Sequence, residues 1–377
     1  MRRSVVWIAG FLFAVAGLAA DLAGLFSADL DHAAIRYGLA PGSNAITEVS
    51  RRLTEGAVQL RFEGSSGYLR SVLAALDIPV ESQMLVFTKT SLQRRFISPQ
   101  NPRAVYFNDR AVVAWVPGEP FVEVAAADAR QGVIFYTVDQ QPDTAPYFTR
   151  RDSCLTCHLS YASLGVPGMI MRSVFPAPNG LPVRELGDYL TDHRSPFAER
   201  WGGWYVTGNA PSVVHMGNMV VADAANPTLK ALAPAFDPAD YLTPYSDIVA
   251  LMVFEHQWHV TNLITRIGWE VRVGASARAI DAYANELADY LLFVDEPPLP
   301  GPLESTSGFA AKFATRGPLR EFDLQHRLMR YSCSYMIYSD ALAALPAVVR
   351  DAVYRRIART ASPEVLRILR ATKPGFP

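Results

Sequence analysis

Apolar and polar positions follow a helical period at the start of this chain, a strand-like one in its middle and a helical one again towards its end. Residues 44–60 and 67–76 carry apolar side chains three and four apart, the spacing of amphipathic helices. From Met84 the pattern becomes short β-rich runs, "MLVFTKT", "RAVYFND", "AVVAWV", "FVEVAAAD" and "GVIFYTVD", broken by Pro, Gly, Asn and Asp. These predict an antiparallel meander ending near Asp139. Two further strands are expected at "GMIMRSVFP" (168–176) and "RWGGWYVTG" (200–208), with a turn at "PNG" between them. Past residue 236 the spacing is helical again. Helices are expected over 247–273, 276–294, 319–345, 348–359 and 363–371, with the Pro-rich 295–308 as a long loop. The expected fold class is α+β: N-terminal helices, a β meander, then a mostly helical C-terminal part. Residues 28–235 and 236–377 form the two regions, packed together as one unit.

The first twenty residues, "MRRSVVWIAGFLFAVAGLAA", open with Arg2 and Arg3 and run apolar from Val5 to small residues at Gly17–Ala20. That is the layout of a secretory signal peptide. The run is slightly shorter than the roughly 20 residues a spanning helix needs, so a cleaved leader over 1–20 and a periplasmic location are expected. An uncleaved N-terminal anchor is the alternative, and the only membrane attachment expected. The 35 basic and 36 acidic residues leave a net charge of −1, without the basic surplus of a nucleic-acid binder, so no nucleic-acid partner is expected.

Two of the three cysteines sit in "RRDSCLTCHLSYASLGVPG" (150–168), as Cys154-x-x-Cys157-His158. Haem c attachment needs two thiols for two vinyl groups and an adjacent imidazole for the iron, and C-x-x-C-H supplies all three from one turn. The competing readings are a local disulfide, a thioredoxin-like dithiol and a zinc site. The dithiol wants a βαβ setting, whereas a meander precedes the motif here. Zinc wants four ligands, which His256 and His259 could complete only by long-range folding. The expected cofactor is therefore one covalent haem c, with Cys154 and Cys157 as thioether anchors and His158 as proximal ligand. Cys333, among aromatics on a candidate helix, is expected to be a small buried side chain.

Opposite His158 the iron is either open or held by a second side chain. Candidates are His193, His215, Met216, Met219, His256 and His259; His256 leads, with His193 and His259 behind it. The helix expected over 247–273 is apolar nearly all round, yet Glu255, His259, Asn262 and Arg266 share one side, with Met252 beside them and His256 at the border. A polar stripe on a buried helix needs partners. Haem propionates would suit Arg266 and Asn262; a buried hydrogen-bond network is the alternative. In "TDHRSPFAERWGGWY", Asp192 could orient His193, while Arg194, Arg200 and Trp201 could meet propionates. Tyr147, Phe148, Tyr161, Trp201, Trp204 and Tyr205 could wall a pocket or form ordinary core.

Several longer stretches accompany the motif: "FTKTSLQRRFISPQNPRAVYFND" (87–109), "GVPG" after His158, "TDHRSPFAERWGGWYVTG" (191–208), "HMGN" (215–218) and "ALMVFEHQ" (250–257). On these, over about two-thirds of its length, the chain resembles a family of exported bacterial proteins described as cytochrome c domain-containing. The resemblance implies covalent haem in the cell envelope and implies no particular reaction. The expected function is single-electron transfer with a redox partner protein or a small-molecule donor or acceptor. A haem enzyme with an open distal site and a haem-stabilised sensory or binding module are the alternatives.

Overall fold

The computed structural model describes residues 25–223, 225 and 227–377. The leader expected over 1–20 lies outside the described residues. The β-rich runs pair as expected. β1 (Met84–Val86), β2 (Arg103–Phe107), β3 (Ala111–Trp115), β4 (Phe121–Asp128), β5 (Gly132–Asp139) and β6 (Thr149–Arg150) form an antiparallel meander. β9 (Trp204–Tyr205) extends it beyond β1, giving seven strands in the order β6-β5-β4-β3-β2-β1-β9. Turn residues set the hairpins. The Asn108 side chain accepts from the amides of Arg110 and Ala111, both at 2.9 Å, and Asp128 accepts from those of Arg130 and Gln131, both at 3.0 Å.

β1, β3 and β9 are buried from end to end, and β2 and β5 at all but one terminal residue, because both sheet faces are covered. One face, with Leu85, Tyr106, Trp115 and Ile134, meets α1 (Ala45–Thr54) and α2 (Leu69–Ala75). The other, with Val105, Phe107, Ala125 and Phe135, belongs to an apolar cluster that continues into the C-terminal helices. The strand-rich and helical regions thus share one core.

The long helix α4 (Ile248–Arg272) follows the reading of the sequence closely. Every residue from Ile248 to Trp269 except His259 is buried. Its start is fixed twice by Asp247. Oδ1 caps the amides of Val249 and Ala250, and Oδ2 accepts from the hydroxyls of Ser305 (2.7 Å) and Ser307 (2.8 Å), drawing the Pro-rich loop onto the helix end. α5 (Ala277–Leu291), α6 (Phe309–Ala314), α7 (Asp340–Ala343), α8 (Ala347–Thr360) and α9 (Pro363–Thr372) complete the helical region. Among the described residues no helix is long and apolar enough to cross a membrane.

One expected helix is mostly absent: of residues 319–345 only Asp340–Ala343 (α7) is α-helical. Residues 319–345 instead begin with a tight reversal, in which the amide of Arg330 donates to Glu321 (2.9 Å) and that of Leu324 to Arg327 (2.9 Å). Leu319 and Leu324 take left-handed φ of 61° and 58°. The Pro-rich loop claims the carbonyls a helix would use, Leu303 donating to Leu324 and Leu299 to His326. Cys333, buried as expected, lies in this irregular stretch and not on a helix.

The expected strands at 168–176 and 200–208 shrink to β7 (Arg172–Val174), which pairs with β8 (Asp188–Leu190), and to β9. Gly202 passes so close to β7 that a Cβ there would lie 2.1 Å from the Val174 carbonyl oxygen, and Trp201 and Gly203 are left-handed (φ 65° and 91°). A minor hairpin, β10 (Met219–Val221) with β11 (Leu229–Ala231), follows.

Candidate functional site

The cysteine motif leaves the sheet at edge strand β6. The Arg151 amide donates to Phe135 on β5 (2.8 Å) and its Nε to the Thr137 hydroxyl (2.9 Å), turning the chain across the sheet face. A single 3₁₀ turn, Asp152–Cys154, then runs into the one-turn helix α3 (Leu155–His158). Positions 154, 157 and 158 are i, i+3 and i+4, which share one side of a helical turn. Both cysteines carry free thiols; Cys157 is exposed and Cys154 half-buried. Burial, with the Glu123 carboxylate adding to it, pushes the Cys154 thiol up to about 11.

His158 is held on one ring nitrogen. Its Nδ1 lies 2.8 Å from the Gly168 carbonyl oxygen, which can only accept, so Nδ1 carries the proton and Nε2 the lone pair. The Gly168 amide donates back to the His158 carbonyl at 3.0 Å. The ring packs on Phe135, centroids 4.7 Å apart. Burial pushes its pKa down to about 4, against the opposing pull of the Gly168 carbonyl, so the imidazole is neutral at pH 7. A neutral imidazole whose Nδ1–H donates to a fixed carbonyl is a ring prepared to give Nε2 to a metal. The residues present fit haem c: two free thiols and one oriented imidazole on a single turn.

The other predicted residues gather elsewhere, in a buried cluster where α4 and α5 meet the loop 191–201. Arg200 and Glu255, each about 1% exposed, form an ion pair at 3.3 Å. Glu255 also accepts from the Thr191 hydroxyl (2.7 Å), and Arg200 donates to the carbonyls of His193 (2.9 Å) and Ser195 (2.6 Å). Burial pushes Glu255 up to about 7 despite Arg200. His193 and His256 share an Nδ1–Nδ1 hydrogen bond of 2.8 Å, and His256 Nε2 meets the Ser334 hydroxyl at 2.6 Å. Burial pushes His256 down to about 3 and holds His193 well below its ordinary value, with His256 adding to the effect. With both rings neutral, one Nδ1 donates and the other accepts. Tyr290 and Phe293 stack on His256 and lie tilted against His193.

Both ring nitrogens of His256 are therefore engaged, and iron could take it only by displacing His193 or Ser334. His193 Nε2 is buried without a partner. The carboxylate expected to orient His193 turns to His259 instead: Asp192 Oδ2 stands 3.5 Å from His259 Nδ1. Burial alone would raise Asp192, but the Arg194 guanidinium bonded to it (2.6 Å) holds its carboxyl well below the usual range. Arg266 pairs with Glu286 on α5 and lies over the Tyr283 ring. Asn262 donates from Nδ2 to the Met169 carbonyl at 2.7 Å, which ties α4 to the chain just after the motif.

Met216 is buried, with its sulfur 3.7 Å from the Ser173 hydroxyl, and His215 packs against Trp201. Trp201, Trp204 and Tyr205 are core, while Tyr147 and Tyr161 are exposed. Among the described residues no group of three or more His, Cys, Asp and Glu side chains stands in a metal-holding arrangement. Gly168, Phe135, Tyr290 and Ser334 were not foreseen as partners of histidines. No spacing rule announces them, because each reaches its histidine through the fold. Compared with family models, curated proteins and solved structures, the chain matches none.

Proposed function

We propose that this is an exported c-type cytochrome, with one haem joined to Cys154 and Cys157 and ligated by His158, which passes single electrons in the cell envelope to or from a partner protein or small molecule. One observation carries the reading: on the only turn that combines two free thiols with a histidine, Nδ1 is tied to a backbone carbonyl and Nε2 is left as the sole available ring nitrogen. Bound haem would supply a one-electron iron couple. The chain's part is to anchor it through the two sulfurs, to set the imidazole plane through Gly168, and to cover one side with the Phe135 face of the sheet.

A carrier is favoured over a haem enzyme because the acid–base candidates are bonded to one another. Glu255 is taken by Arg200 and Thr191, and His256 by His193 and Ser334. The reading is tested by producing the chain in a periplasm competent for haem c maturation. Intact-mass measurement should show one haem added to the polypeptide, lost in Cys154→Ala/Cys157→Ala, and the reduced spectrum should not change with carbon monoxide. A bare polypeptide mass overturns the cytochrome; ready carbon monoxide binding overturns the carrier in favour of an open-site enzyme or sensor.

A further inference from the structure

We propose that Asn262 is a positioning residue for His158, acting from the middle of α4 through the peptide at 168–169. The inference rests on the haem c reading for its consequence, though not for its geometry. Gly168 and His158 are bonded reciprocally, amide to carbonyl at 3.0 Å and Nδ1–H to carbonyl at 2.8 Å. The direction of the Gly168 carbonyl therefore sets the plane of the imidazole.

The carbonyls on either side of it in the chain are held, Pro167 from the sheet and Met169 from the helix, and this fixes the direction of the Gly168 carbonyl between them. On the sheet side, the Val133 amide donates to Pro167 at 2.9 Å, and left-handed Gly132 approaches so closely that a Cβ there would lie 2.7 Å from the Pro167 oxygen. On the helix side, Asn262 Nδ2 holds the Met169 carbonyl at 2.7 Å, and its Oδ1 lies flat against the Gly168 α-carbon, 2.1 Å from where a Cβ would stand. Oδ1 is buried with no hydrogen-bond partner. An unsatisfied buried carbonyl is unfavourable, so a residue chosen only to fill this space would be apolar. What the carboxamide adds is the Nδ2–H donor and a flat face against glycine. Partners that orient a ligating histidine and strengthen its Nδ1 hydrogen bond raise its basicity towards the metal, so a loosened Gly168 carbonyl makes a poorer iron donor.

The test uses the full chain with Asn262→Leu, which keeps the volume without the donor, and with Asn262→Ala. In the haem-free Cys154→Ala/Cys157→Ala background, nitrogen NMR of His158 should show the Nδ1–H tautomer with Asn262 and a mixture with the Nε2–H form in both variants. In haem-loaded protein both variants should have a more positive midpoint potential. Gly168→Ala should disturb the tautomer strongly with Asn262 present and less in the Asn262→Ala background, where the clashing atom is gone. Unchanged tautomer and potential in whichever Asn262 variant folds, or equal disturbance by Gly168→Ala in both backgrounds, overturns the proposal. If the wild-type chain carries no haem, the cytochrome reading fails by mass while the tautomer result still decides the role of Asn262.

Discussion

The turn at 154–158 and the loop at 191–201 both place polar, chemically capable side chains beside the sheet and α4, and they differ in what those side chains have left to offer. On the turn, two thiols are unbonded and His158 is anchored through one nitrogen only. In the loop cluster, Asp192 meets Arg194 and His259, Arg200 meets Glu255, and His193 meets His256, which in turn meets Ser334. Residue types that look alike on paper are left mostly unbonded in one setting and, His193 Nε2 apart, bonded to one another in the other. Hydrogen-bond partners make the difference: burial leaves both His158 and His256 neutral, but His256 is bonded on both ring nitrogens and His158 on one, and a fully partnered buried group holds its neighbours in place.

This contrast can be broken by experiment, and the largest effect should come from the cluster. Glu255→Ala leaves the buried Arg200 charge without its carboxylate and should destabilise the protein by about 3–5 kcal/mol, with Glu255→Gln milder because it can still meet Thr191. Urea unfolding measures both; a loss no larger than that of an exposed site would mean that the cluster is not structural. Ser334→Ala removes the partner of His256 Nε2 and should cost about 1–3 kcal/mol by the same assay.

Glu119, buried in the connection between β3 and β4, belongs to neither region. Burial, with the Glu123 carboxylate adding to it, pushes its pKa from the ordinary 4.5 up to about 8. Over that window the folded chain binds more protons than the unfolded one, so this group makes stability fall as pH rises, by at most about 1.4 kcal/mol per pH unit. Thermal melts across the window should show a flatter profile for Glu119→Gln than for the wild type. The smallest effect belongs to the turn itself. Cys157→Ser in haem-free protein should change stability by less than about 0.5 kcal/mol, because the thiol is exposed and unbonded. A large loss there would erase the distinction between the two regions.

How much of this was legible beforehand varied with the range of the interactions. The meander was readable from β-rich runs and turn residues, since Asn108 and Asp128 make their hairpins by bonding amides two and three residues on. The polar stripe of α4 was readable as a stripe, but its partners were not. It takes Arg200, His193, Asp192, the Met169 carbonyl and Glu286, which come from three separate stretches of chain. The apolar spacing of residues 319–345 fits a helix, but the carbonyls that decide the matter are taken by the Pro-rich loop.

Local spacing was enough to give the α+β class, a long helix over 247–273 and two thiols with an imidazole on one turn, because each depends on residues a few positions apart. Only the tertiary structure decided that His158 keeps Nε2 available while His256 has neither nitrogen to spare. A hydrogen bond made across the fold leaves no trace in local spacing, and in a buried site it is that bond which assigns each side chain its role.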